Sequence, residues 1–486
     1  MNLISSSLFL VLTIFLTTNS FAQNSFERTY GGVGFDRGQS VQQTTDGGYA
    51  IVGITRSFGA GSNDVYLIKT DSIGDTIWTR TYGGVDIDQG NSFQQTLDGG
   101  YIVVGSTRSF GVGNYDVYLI KTDASGDTVW TKTFGGIDSD IGSSVQQTPD
   151  GGYIIAGATS SFGFGSYDAY LIKADSSGDS LWTRTYGGMD NDQALSVWKT
   201  TDGGFISAGT TRSFGAGDFD IYLIKIDSSG DTLWTKTYGD TTLDHGYSVQ
   251  QTADGGYIIA GNTVSGNGFY DFYLLKTDAL GDSLWTRTYG GSADDAAEFV
   301  RQTLDGGFIL AGYTDSYGAG GSDVYIVRTN SSGDTLWTRT YGDSLSDAGK
   351  AVQQTADGGY IITGQAEPDS APGNPDVYLI KMEEPVTGIG EPGKVSLFPK
   401  KFSLAQNYPN PFNPGTTIQF SLLSPGYVSL KIYNMLGEEV TTLVAEPLDS
   451  GIHKVEWNAS GFASGIYLYR MQAGDFVATR KLLLLR

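Results

Sequence analysis

The sequence predicts an all-β chain: a seven-bladed β-propeller followed by a small Ig-like or fibronectin-like β-sandwich. Three observations carry the prediction. A cassette recurs seven times with its Asp-Gly-Gly aspartates at 46, 98, 150, 202, 254, 305 and 357, and so long and regular a period means one supersecondary unit copied head to tail. Gly 69, Tyr 29 and Phe 24 supply turn formers and strand formers rather than helix formers. Six copies end in Trp-Thr-Arg/Lys-Thr-Tyr/Phe and the seventh does not, while Phe26-Glu27-Arg28-Thr29-Tyr30 supplies the missing strand at the other end of the array.

In chain order, residues 1–22 are expected to be a signal peptide. The apolar run 8–16 is too short for a membrane span of ~20 residues, and Ser20-Phe21-Ala22 offers the small residues a signal peptidase reads. Residues 25–382 form the propeller. In the second copy, strands are predicted at 92–96, 101–105, 116–121 and 129–134, joined by the Asp98-Gly99-Gly100 turn, a Gly-rich loop and the hairpin Asp123-Ala124-Ser125-Gly126-Asp127. Tight Asp-Gly-Gly turns signal antiparallel hairpins, which favours blades over the rungs of a parallel solenoid. Residues 26–30 should complete the seventh blade and latch the ring. Residues 383–394 read as a linker, and 395–486 as the sandwich, with alternating strands at 417–421, 428–433 and 453–457.

The net charge of −23 argues against nucleic acid and anionic membranes as partners, and no stretch of the mature chain is apolar enough to span a bilayer. Without cysteine there is no disulfide, thiolate metal site or lipid-modified cysteine. Histidine occurs only at 245 and 453, so no histidine metal cluster or Ser-His-Asp arrangement assembles, and an enzyme is not expected.

Where the copies agree, the residues are expected to build the scaffold; where they differ, to bind. The fourth copy has Trp198 and Lys199 in place of Gln-Gln, the fifth has His245 and Tyr247, and the sixth has Glu298 and Arg301. An aromatic platform with polar neighbours at one side of the channel mouth would suit a glycan or protein ligand, with drift in a repeat array as the alternative. No cofactor is expected, and Ca²⁺ is the one candidate. Asp86 with Asp88, and Asp138 with Asp140, would each contribute two oxygen ligands; the same aspartates also suit hydrogen bonds within their own Gly-rich loops.

The hairpin and tryptophan of Asp227-Ser228-Ser229-Gly230-Asp231-Thr232-Leu233-Trp234 resemble the tryptophan-docking motif of quinoprotein dehydrogenase propellers. The resemblance implies that Trp78, Trp130, Trp182, Trp234, Trp285 and Trp337 pack between neighbouring blades. At ~200 Å² and ~25 cal/mol per Å², a fully buried tryptophan would contribute up to ~5 kcal/mol. The Asp-to-Gly spacing is one residue shorter than in that family, so the structural role carries over and the enzymology does not.

The end of the chain resembles the type A C-terminal sorting domain of type IX secretion cargo from Bacteroidetes and related bacteria. The residues concerned are Asn407-Tyr408-Pro409-Asn410-Pro411-Phe412-Asn413-Pro414, Ile432-Tyr433-Asn434-Met435-Leu436-Gly437, Gly451-Ile452-His453 with Trp457, Ser464-Gly465-Ile466-Tyr467-Leu468-Tyr469 and Arg480-Lys481-Leu482. The resemblance implies an address tag read by the secretion machinery through 395–486, and a location outside the cell or on the outer-membrane surface. The expected function is a secreted or surface-displayed, non-catalytic binding or adhesion module. The alternatives are a Ca²⁺-binding display protein and a quinoprotein-like oxidoreductase.

Overall fold

Each cassette folds into one four-stranded antiparallel sheet. The structure, a computed structural model, describes residues 25–266, 268–368, 372–385, 403–404, 407, 410, 412–422, 426–435, 437–448, 451–474 and 476–485. The signal peptide expected at 1–22 and most of the linker expected at 383–394 lie outside them. The chain divides into two units, Met1–Gly390 and Glu391–Arg486.

In the first blade the innermost strand is Asp36–Gln43, followed outward by Tyr49–Thr55, Asp64–Thr70 and Thr76–Tyr82. The two middle strands are buried along their whole length because both faces pack on neighbouring blades, which is why they read as unbroken apolar runs. Each innermost strand lies beside the second strand of the preceding blade. The same contact joins Tyr360–Ala366 of the last blade to Asp36–Gln43 of the first, so the ring is closed.

The latch is the strand Phe26–Tyr30, paired antiparallel with Asp376–Met382 so that Phe26 faces Lys381 and Tyr30 faces Val377. Phe26 stands where the other blades carry tryptophan. Trp78 lies on Gly126 in the hairpin of the next blade, where a Cβ would come within 2.8 Å of the indole, and Trp130, Trp182, Trp234 and Trp285 lie likewise on Gly178, Gly230, Gly281 and Gly333. Phe26 covers Gly74 in the same way, and the Tyr30 hydroxyl donates to the Gly74 carbonyl at 2.6 Å, as Tyr82 does to Gly126. Trp337 instead donates its Nε1–H to Glu384 at 3.0 Å. The indoles are half-buried, so each contributes nearer ~2–3 kcal/mol than the full-burial figure.

The Asp-Gly-Gly turn has two separate needs for glycine. Gly47 has φ +84°, and a Cβ on Gly48 would lie 2.2 Å from the Thr70 carbonyl oxygen. That close approach lets Asp46 receive Lys69, whose ammonium is buried and donates to the Asp46 carboxylate and to the Thr70 carbonyl. Lys121, Lys173, Lys225, Lys276, Arg328 and Lys381 repeat the pairing with Asp98, Asp150, Asp202, Asp254, Asp305 and Asp357.

The second unit is a sandwich of a three-stranded sheet, Ser403–Leu404, Gly415–Leu422 and Gly451–Asn458, and a four-stranded sheet in the order Glu439–Leu448, Gly426–Tyr433, Gly465–Ala473, Phe476–Leu484. Its core gathers Phe412, Phe420, Trp457, Tyr469 and Leu482. The Asn-Pro-rich entry is anchored at three points. Asn407 is buried, with its backbone N–H on the Tyr469 hydroxyl and its side-chain amide on Thr416, Asn410 accepts from the Leu483 N–H, and Phe412 exchanges backbone bonds with Leu483 and Leu485.

Candidate functional site in the central channel

The innermost strands ring the channel, and each carries a β-bulge at the same place, between Gly38 and Ser40 in the first blade and at equivalent positions in the others. The extra residue is Gln39, Asn91, Ser143, Leu195, Tyr247, Glu298 or Lys350. A bulge re-aims the side chain it adds, so the three bulge residues that depart most from the repeat come from three successive blades.

Two of them meet directly: Lys350 Nζ lies 2.5 Å from Glu298 Oε1. Tyr247 stacks on His245 at 5.8 Å with planes 15° apart, and Phe219 and Tyr270 flank the imidazole at 5.3 and 6.4 Å. Burial in this aromatic cluster pulls the His245 pKa down, against the raising effect of Asp244 and Asp218. Burial also pushes the Tyr247 hydroxyl up, and Glu298 adds to it; Tyr313 is pushed to about 12 by burial and then Glu298. Arg37 is pulled down by burial and partly restored by Glu298. His245, Tyr247, Glu298 and Lys350 therefore share one mouth, toward the rim of the loops between cassettes.

Trp198, Lys199 and Arg301 do not join them. They sit three or four residues beyond the bulge along their strands, ~10–13 Å away at ~3.3 Å per residue, toward the Asp-Gly-Gly turns. The expectation of one six-residue cluster is thus corrected to two levels, because the bulge and the strand end face different mouths. Trp198 is also no open platform: its ring packs on the core of Ile206, Ala208 and Val249, and the Arg301 guanidinium lies 4.7 Å from its centroid.

The residues that Trp198, Lys199 and Arg301 replace belong to two girdles of glutamine. In one, Gln42, Gln94, Gln146, Gln250 and Gln353 each accept the backbone N–H of the next blade's innermost strand, at 2.7–3.1 Å. Trp198 and Arg301 occupy the other two places. In the second girdle, Gln95 accepts from Thr45 N–H and Gln147 from Leu97 N–H, a contact repeated by Gln251, Gln302, Gln354 and Gln43. The remaining turn carries Pro149, which has no N–H to give. Lys199 stands there, donating instead to the Gln147 carbonyl at 3.2 Å.

The rim aspartates divide within each pair. Asp88 and Asp140 are fully buried, and each Oδ2 accepts a loop N–H, from Gly84 or Gly136, and a hydroxyl, from Ser109 or Ser161. Asp86 and Asp138 are exposed and engage the same serines through their backbone N–H. Among the described residues, no three His, Asp or Glu side chains gather as metal ligands.

Residues 406–485 match the family model of the secretion system C-terminal sorting domain. The regulatory protein FlaEY of Caulobacter vibrioides is 25% identical over 177 residues, 31% of this chain, and the chain covers 18% of that protein's length. Similar solved structures include a fungal alcohol oxidase of the AA5 family in complex with copper, at 12% identity and TM-score 0.47 over 95% of this chain and 98% of that one. Another is PorZ, a surface component of the type IX secretion system of Porphyromonas gingivalis, at 12% identity and TM-score 0.34 over 91% and 64%. A family 43 arabinoxylan arabinofuranohydrolase from Bacillus subtilis matches at 10% identity and TM-score 0.29 over 94% and 96%. At these values the solved structures carry no argument about activity. The C-terminal unit is a type IX secretion sorting domain, which directs the chain to the cell surface or extracellular space of Bacteroidetes-type bacteria. Among the described residues, no helix is long and apolar enough to cross a membrane.

Proposed function

We propose that the propeller is a non-catalytic binding module that takes a glycan or protein ligand at the mouth formed by blades five to seven. The observation that carries this reading is the shelf of His245 stacked on Tyr247 beside the Glu298–Lys350 pair. It pairs an aromatic face with hydrogen-bonding charges, the combination that holds a sugar ring or a peptide side chain. All of it comes from positions where the copies differ; the corresponding residues of the first three blades are Arg37 with Gln39, Gln89 with Asn91, and Ile141 with Ser143.

Binding rather than conversion is supported by where the titratable groups are spent. The Asp-Gly-Gly carboxylates hold buried cations, and the inner-rim aspartates hold their loops. His245 faces aromatic rings rather than a nucleophile. A glycan and peptide array probed with the exported protein tests the reading. Wild type should give a defined set of hits that Tyr247→Ala and His245→Ala lose while the melting temperature moves by a few degrees at most. Hits that both variants retain at full strength would remove the mouth as the binding site.

A further inference from the structure

We propose that the channel holds a second site, at the level of the first glutamine girdle, that binds the carboxylate of a small acid or sugar acid on Arg301. Arg301 lies between two rings, with its guanidinium carbon 4.7 Å from the Trp198 centroid and 4.2 Å from that of Phe299. Contact with two rings restrains the guanidinium and leaves its N–H groups as the polar edge, of which Nη1 donates to the Val300 carbonyl at 3.3 Å. Among the described residues, no carboxylate pairs with it.

The girdle supplies the rest of the receptor. Gln42, Gln94, Gln146, Gln250 and Gln353 each spend Oε1 on a backbone N–H of the next blade, and only an oxygen can accept there, so the orientation of each amide is fixed. What each has left is an NH₂ group, and among the described residues none of these finds a protein acceptor. This level of the channel thus presents donors: five amide NH₂ groups and a planar guanidinium. Gln42 and Gln353 also line an open depression of about 350 Å³ at the turn end, a route of entry at the same level.

An oriented guanidinium edge matches the two oxygens of a carboxylate. Burial pulls Arg301 down to about 9, which leaves it charged at neutral pH and lets a bound anion restore its lost solvation. The overall charge of −23 does not forbid this, because repulsion from charges more than ~8 Å away is screened at physiological ionic strength. The site does not rest on the mouth cluster, which occupies the other level.

Calorimetric titration of the full exported protein with galacturonate, succinate and neutral galactose tests it. Wild type should bind galacturonate, or galacturonate and succinate, and not galactose. Binding of galacturonate alone assigns a sugar acid; binding of both assigns the carboxylate itself. Arg301→Met should weaken binding at least about tenfold, and Tyr247→Ala should not change it. Gln250→Glu keeps an oxygen for Gln302 N–H and adds a carboxylate at the same girdle level, on the blade between those of Trp198 and Arg301, so it should raise the melting temperature and abolish binding of added acid. The proposal is overturned by no saturable binding of either acid up to roughly 10 mM, or by undiminished binding in both Arg301→Met and Gln250→Glu.

Discussion

Lys69 and its six counterparts are buried cations whose partners reach them from turns of the preceding hairpin. The arrangement makes the pair asymmetric: Lys69 is 6% exposed and Asp46 59%. Asp46→Ala should therefore destabilise by about 1–3 kcal/mol, because it strands a buried ammonium, whereas Lys69→Met should cost less; chemical denaturation of the two variants measures the difference. Burial opposes ionisation of Asp46, yet the Thr44 hydroxyl, Lys69 and the Gly48 N–H outweigh it and hold the carboxyl at about 2, as the equivalent partners in their own blades do for Asp98, Asp150, Asp202 and Asp305. Their contribution is present above about pH 4 and lost as pH falls toward 2. Asp347 behaves oppositely. Burial, with Asp343 and Asp323 nearby, pushes it to about 6 despite two backbone hydrogen bonds, so the folded state binds its proton more tightly and loses stability as pH rises from about 4 through 6. The melting temperature should peak near pH 4–5, and Asp347→Asn should flatten its decline above that point; a scan from about pH 3 to 8 reads both. The repeated aspartates were legible as structural, but their lysine partners were not, since the pairing arises from strand register. Pro149 was a readable sign that Lys199 need not be functional.

At the scale of elements, the blades and the latch were legible because Gly and Asp punctuate every hairpin and the array is offset by one strand. The bulges were not read, since Gln39, Asn91 and Ser143 look like any other strand residues, although Gly38, Gly90 and Gly142 just before them mark the shift. For that reason Lys350 was left out of the candidate site, although its bulge places it on Glu298, and six residues were expected together that lie at two levels. The latch predicts its own mutational pattern. Phe26→Ala should cost about 1–3 kcal/mol by opening the contact with Tyr49 and Gly74, while Phe26→Trp, which restores the residue of the other six blades, should be neutral or stabilising. Thermal unfolding of both variants distinguishes a latch from a loose end.

For the whole molecule, the repeat specifies the scaffold and the C-terminal unit the destination, while the proposed binding residues lie where the copies differ. The sorting unit was legible through Asn407, Phe412 and Trp457, whose burial shows what asparagine and the aromatic residues of that motif do in this domain. The ring was legible through its period. What the channel presents was not, because it depends on bulge geometry and on which amide atom each glutamine has spent. Reverting the irregular mouth to the repeat, with His245→Gln, Tyr247→Ser, Glu298→Gln and Lys350→Gln in one protein, separates the two kinds of residue most directly. The account predicts a folded protein with a melting temperature close to wild type and no remaining hits on the glycan and peptide array. Wild-type hits from the reverted ring would contradict it.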